Sequence, residues 1–276
     1  MSRFDSLALF VREDVRDTIR ERQLYALVGI YALLGLFLVY AEAQSIGTEP
    51  ELTPVLFSFF TMLTPLLALG FFASSIVEKR TNGAFKIVFG LPVGRGAVVV
   101  GTFLARTLVV CAAVVVGMIV TVPVGAVLGV AIDPAQFVGV AALLSLLGAA
   151  FTAFAVGISA VVRTSTRATV AAFGVFVLFF FQLWAQLPRA VLYVVNGFSY
   201  PETTPEWVDL VAALNPMSAY ANLAAGLSAD LGGGTFASPP TDPVFYEEPA
   251  FGLAVLLGWV VLAIGGGYWR FQATDL

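Results

Sequence analysis

Charged side chains are missing from six long stretches of this chain, residues 23–41, 52–77, 107–132, 134–162, 168–188 and 249–269. A bilayer's hydrocarbon core is about 30 Å thick, so a crossing helix needs roughly 20 apolar residues. Each stretch is long enough. None alternates in the ten-residue manner of a barrel strand, and a helix meets its own backbone hydrogen-bonding needs in lipid. The pattern predicts an all-α membrane protein with six transmembrane helices, at about 23–41, 52–77, 103–130, 136–162, 168–188 and 250–269.

The connecting segments alternate in charge. Lys and Arg retained on the cytoplasmic side set the orientation of a membrane protein. Arg3, Arg12, Arg16, Arg20 and Arg22 precede the first span. Lys79, Arg80, Lys86, Arg95 and Arg106 fall at the second connection, Arg163 and Arg167 at the fourth, and Arg270 at the end. The first and third connections have no basic residue and the long fifth has only Arg189. Both termini are therefore expected in the cytoplasm, and an even number of spans is required. The other side collects Glu42, Glu49, Glu51, Asp133, Glu202, Glu206, Asp209, Asp230, Asp242, Glu247 and Glu248. With a sequence pI near 4.8 and few lysines, this acidic exterior suits high salt, where screening shortens self-repulsion.

Between the spans, three segments carry pattern of their own. In residues 4–22, Phe4, Leu7, Ala8, Val11, Val15 and Ile19 recur at helical spacing while charges fill the other side. This predicts an N-terminal amphipathic helix lying at the cytoplasmic interface. Residues 78–100 form a cytoplasmic loop in which Gly83 permits a turn, 84–89 forms a short apolar helix and Pro92 ends it. Arg95 and Arg106 bracket the next helix start and are expected to snorkel to the interface. In the external loop 189–249, residues 207–231 are apolar enough to form a re-entrant or interfacial element before the last span, broken at Asn215-Pro216. Gly125 and Gly129 form a small-xxx-small pair, which favours close helix approach.

Composition narrows the chemistry. The chain has 276 residues, 59% hydrophobic and 12% charged, about half the charged share of a soluble domain. It reads as a single membrane domain, 1–276, with no separate soluble domain. The expected first span acts as an uncleaved anchor, since a charged segment rather than a signal peptide precedes it. There is no histidine, and Cys111 is the sole cysteine. That excludes an intramolecular disulfide, a His/Cys zinc site and any His-dependent catalysis. Ser159 lies in a GxSx sequence used by intramembrane serine proteases, but no His base exists to take its proton. No GxxxxGK[ST] is present, so the chain binds no ATP through a P-loop of its own. No catalytic, cofactor-binding or metal-binding residue is expected. The spans lack buried Asp, Glu or Lys near their centres, which argues against an ion-coupled pump.

Three stretches resemble the permease subunits of the type-2 ATP-binding-cassette (ABC) transporter family. In the loop they are Glu78, Arg80, Gly83, Lys86, Leu91-Pro92-Val93, Arg95 and Gly101. Leu214-Asn215-Pro216 with Tyr220 is similar to the family's Asn-Pro element before the last span, and residues 268–276 to its aromatic-x-x-x-Asp-Leu ending. Gln272 and Ala273 depart from that ending, standing where basic residues are common. The resemblance implies that Glu78, Arg80, Gly83, Phe85, Lys86, Pro92 and Arg95 belong to a coupling segment contacting a cytoplasmic ABC ATPase. It also implies that ATP and Mg are bound by that partner, and that a second permease copy or a related permease completes the translocator. Export is the direction favoured by the resemblance. The lipid bilayer is the remaining partner, and no nucleic acid is expected. The competing class is a non-transporting membrane scaffold or sensor that anchors a cytoplasmic partner. An ATPase encoded beside the chain discriminates for transport, a kinase or regulator for the scaffold.

Overall fold

The computed structural model describes residues 3–45, 50–83, 94–201, 203–227 and 244–273. Among these every regular element is helical. α1 (Arg3–Arg20) precedes α2 (Gln23–Ala43), α3 (Leu52–Phe72) and the short α4 (Ser75–Thr81). Then come α5 (Arg95–Leu128), α6 (Pro134–Val161), α7 (Ser165–Phe180) and α8 (Leu183–Val195). α9 (Glu206–Ala213), α10 (Pro216–Leu227), a 3₁₀ turn (Phe245–Glu247) and α11 (Pro249–Gln272) complete the order. Five stretches are long and apolar enough to cross a membrane: Gln23–Ala43, Leu52–Thr81, Gly96–Leu128, Pro134–Val161 and Pro249–Gln272. The bent pair α7–α8 supplies a sixth if it is counted as one span. The chain is thus an all-α membrane protein.

Two compact units are present, Met1–Phe173 with Val260–Leu276, and Gly174–Trp259. In the first, α2 packs along α5, α3 along α6, and α5 along both α6 and α1. Small residues set these spacings. A Cβ on Gly117 of α5 would stand 2.4 Å from the Tyr31 Cβ of α2, and one on Gly148 of α6 would stand 2.6 Å from a Val110 methyl. The expected Gly125–Gly129 pair is not among the close approaches. A Cβ on Gly125 would meet only ordinary contacts, and Gly129, at φ 75°, ends α5 in the left-handed region. That conformation suits a residue without a Cβ. Inside this unit the Tyr31 hydroxyl donates to Thr64 Oγ1 at 2.9 Å, so α2 and α3 share a buried polar tie.

The ends of these helices are built locally. Asp133 caps α6: its Oδ1 accepts the N–H groups of Ala135 and Gln136, and Pro134 occupies the first turn, where no N–H is needed. Between α1 and α2, Arg22 adopts φ 63°, which turns the chain sharply. α5 begins at residue 95, well before the expected 103, and its 34 residues amount to roughly 51 Å of helix. That exceeds the hydrocarbon thickness by about 20 Å, so part of α5 is free to serve as scaffold outside the apolar layer. At the other end of α3 and α5, Ala131 N–H donates to Pro50 O at 2.8 Å and Leu52 N–H to Ala131 O at 3.0 Å, a one-residue parallel bridge.

The second unit departs from the expected fifth span. Residues 168–188 do not form one rod: α7 stops at Phe180 and α8 leaves at 72°. Gln182, at φ 57°, makes the break. Its side-chain oxygen accepts from Asn215 at 2.9 Å and from Ser218 at 3.2 Å, which holds the turn open for α9 and α10. Phe179, Trp184 and Trp259 form a ring triangle with centroids 5.3–5.8 Å apart. Both indoles keep a partner, Trp184 on Val211 O and Trp259 on Leu214 O, each at 2.8 Å. Acidic residues gather near the 3₁₀ turn. The Tyr246 phenol is raised above its ordinary pKa, by desolvation first and then by Asp209, Glu247 and Glu206.

Candidate functional site

The segment singled out by the sequence begins on α4 and ends at α5, and its two flanks are built differently. α4 has seven residues, too few to be stable in isolation. It is held by α6. Ser159 Oγ accepts the backbone N–H groups of Ile76 (2.9 Å) and Val77 (3.1 Å), two donors that a helix start otherwise leaves unsatisfied. One turn further, the Arg80 guanidinium donates to the Val162 carbonyl at the end of α6. Thr81 Oγ1 turns back to the Val77 and Glu78 carbonyls at 3.1 and 3.0 Å. Gly83, at φ 71°, then ends the helix by donating to Arg80 O at 3.3 Å. Glu78 is exposed beside these ties.

The α1 side is electrostatic. Asp14, 2% exposed, faces Lys79 of α4 and Arg106 of α5. Lys79 Nζ donates to Asp14 Oδ1, and Arg106 Nε lies 3.4 Å from Asp14 Oδ2. Arg106 also donates to Thr18 Oγ1 and, at 3.1 Å, to Gln23 Oε1. The aromatic faces complete the cage: Lys79 Nζ sits 5.7 Å from the Phe10 centroid and the Arg106 guanidinium 5.5 Å from that of Phe72. Cations over ring faces are attracted by the ring quadrupole.

This corrects the expectation for Arg106. It does not snorkel. It is 3% exposed, because α1 offers a carboxylate and a hydroxyl on the side that meets α5, and α3 offers the Phe72 ring. The inward side of α1 is therefore Phe10, Asp14 and Thr18, whereas Ala8 of the expected apolar stripe is exposed. Phe10 fits because position 101 is glycine: a Cβ there would stand 2.4 Å from the Phe10 ring. Beneath the charges, Ile76, Val98, Val99, Val156, Ala160 and Phe271 form a closed apolar cluster joining α4, α5, α6 and α11. α11 reaches it by crossing α6 where Gly157 and Gly267 allow backbone contact; a Cβ on Gly157 would stand 2.5 Å from Ala263 O.

Of the sequence-derived coupling residues, Glu78, Arg80 and Gly83 thus lie on or just after α4, and Arg95 opens α5. Phe85, Lys86 and Pro92 lie outside the described residues. The members that sequence reading missed are Asp14, Thr18, Ser159 and Val162. Ser159 carried a signal, a lone hydroxyl in an apolar helix, but nothing local pointed to its partner.

The Asn-Pro element forms a second built site. Asn215 is fully buried and uses its whole amide. Oδ1 accepts Met217 N–H at 2.8 Å, and Nδ2 donates to Phe179 O at 3.1 Å and to Gln182 Oε1 at 2.9 Å. Pro216 occupies the first position of α10, and Tyr220 is buried one turn on. The three predicted residues are therefore together, with Asn215 starting α10 and bracing the α7–α8 break. Among the described residues no group of three or more metal-ligating side chains occurs.

The first site ties α4 to α1, α5 and α6, and the second is a buried joint between the α7–α8 break and α10. The chain belongs to the ABC-2 family of transporter proteins, whose sequence profile matches residues 9–276. It is 28% identical over 277 residues to the probable ABC transporter permease protein NosY of Pseudomonas aeruginosa, an alignment covering 94% of this chain and 96% of that protein. A relative of the same name from Stutzerimonas stutzeri is 29% identical over 218 residues, covering 76% of this chain and 77% of that protein.

Proposed function

We propose that this chain is the permease subunit of an ATP-driven exporter in the cell membrane, with both termini in the cytoplasm and residues 78–100 docking a separate ABC ATPase. The observation that carries the reading is the bracing of both flanks of that segment. α4 is tied to α6 through Ser159 and Arg80 and to α1 through Lys79, while α5 is tied to α1 through Arg106. A force applied between α4 and α5 is thereby delivered to α1, α6 and the Ile76–Phe271 cluster rather than lost in a slack connection.

The chemistry sits on the partner, which binds ATP and Mg. Closure of paired ATPases changes the relative stability of two permease arrangements, and that difference in binding free energy drives the switch of access. Two copies of this chain, or this chain with a related one, form the path. The acidic outward segments, with carboxylates around Tyr246, suit operation at high ionic strength.

Purification of tagged chain in mild detergent tests the reading. The expected result is co-purification of a cassette ATPase whose hydrolysis responds to the permease. Gly83→Pro and Phe85→Asp are expected to abolish that response while the chain stays in the membrane. Absence of any ATPase partner, or an unaltered response in both variants, overturns it.

A further inference from the structure

The position of Asp14 leads to an inference that rests on the docking reading and deepens it. Lys79 lies at the start of the docking segment and Arg106 beyond its end, 27 residues apart in the chain. Each oxygen of the one buried carboxylate faces a different one of these cations: Oδ1 takes Lys79 and Oδ2 faces Arg106. Neither cation has another carboxylate partner among the described residues. One turn on, Thr18 Oγ1 donates to the Asp14 backbone carbonyl at 2.8 Å and also receives Arg106, a second tie from α1 to the same cation. Phe10, one turn earlier, stands over Lys79 and against Gly101 of α5.

We infer that Asp14 is a positioning residue for the docking segment: it staples α4 to α5 and sets the distance between the two ends of residues 82–94. The N-terminal helix is then a third wall of the platform and not only a membrane anchor. A buried carboxylate between two cations is suited to this task. Losing it leaves two like charges facing one another in a poorly solvated place, and they separate. The spacing of α4 and α5 therefore depends on a residue more than sixty positions away in the chain from either end of the segment.

Distance measurement on the whole chain tests the staple without needing an ATPase. Spin labels are placed at Thr81→Cys and Gly94→Cys, both exposed, in a Cys111→Ser background, and pulsed dipolar spectroscopy reads their separation in lipid nanodiscs. The unaltered site is expected to give one narrow distribution. Asp14→Asn is expected to broaden it and move it to longer distance. Lys79→Met, which removes one arm at a partly exposed position, is expected to broaden it less. Glu13→Gln removes the same charge from the exposed neighbour and is expected to leave it unchanged. Identical distributions in Asp14→Asn, Lys79→Met and the unaltered chain overturn the inference, as does equal broadening by Glu13→Gln. In the reconstituted complex, Asp14→Asn is expected to retain ATPase co-purification but lose at least half of the stimulated hydrolysis. If no ATPase binds even the unaltered chain, the docking reading fails while the spin-label result still decides the staple.

Discussion

Ser159 reaches from α6 to cap α4, with its hydroxyl oxygen 2.9 Å from the backbone nitrogen of Ile76. A serine that looks like a nucleophile in the sequence is an acceptor for another helix's start. Ser159→Ala leaves the Ile76 and Val77 N–H groups buried without their shared acceptor, at a cost of about 1–3 kcal/mol. The expected outcome is a lower detergent melting temperature and a larger loss of permease-stimulated hydrolysis than of chain in the membrane. Thermal unfolding and ATPase assays on one preparation check this. Ser159→Thr, which keeps the oxygen, is expected to lose less if the added methyl is accommodated.

The α6–α11 crossing allows no side chain at Gly157. A Cβ there stands 2.5 Å from a backbone oxygen, so the helices must separate rather than a rotamer adjust. Gly157→Leu is expected to destabilise by about 1–3 kcal/mol or more, read as an earlier thermal transition. Gly70→Leu, at a position with nothing within 4 Å, is the matched control and is expected to be near neutral.

Asn215 tests the second site. Asn215→Ala removes the acceptor for Met217 N–H and both donors to the α7–α8 turn. The expected loss is about 2 kcal/mol, combining a lost cap with unpaired buried groups. Asn215→Asp keeps the cap acceptor but faces the Phe179 and Gln182 oxygens with a carboxylate, and is expected to be at least as damaging. Comparing the two variants' melting temperatures separates the cap from the joint.

Orientation is checked by cysteine labelling in a Cys111→Ser background with a membrane-impermeant maleimide. Position 80 is expected to label only from the cytoplasmic side and position 206 only from the outside. Labelling of both from one side contradicts the proposed threading.

Much of the architecture was legible because charge exclusion over twenty residues is a coarse, local signal. Asn215-Pro216 was legible as the break within residues 207–231, and it separates α9 from α10. What escaped reading depends on pairings across the chain. Arg106 looked like an interfacial arginine because its carboxylate lies 92 residues earlier, and Asp14 looked like one more charge on the wet side of an amphipathic helix. Gly125 and Gly129 matched a packing pattern, yet the close approaches fell at Gly117, Gly148 and Gly157, where the partner's shape rather than spacing decides. The break at Gln182 carried no Gly or Pro signal. It arises because Asn215 and Ser218, over thirty residues later, occupy the amide oxygen.

The small clasp of Pro50, Leu52 and Ala131 now takes on a larger meaning. It grips the starting end of α3 and the segment just past α5, while Asp14 grips the same two runs of chain at Lys79 and Arg106. From Arg106 to the end of α5 is roughly 33 Å of helix. The run from Leu52 to Lys79 is thus tied to the run from Arg106 to Ala131 at two separated points, so lengthwise sliding between them would break one of the two ties. Lengthwise displacement of α4 against α5 is therefore expected to load the Ala131 tie as well.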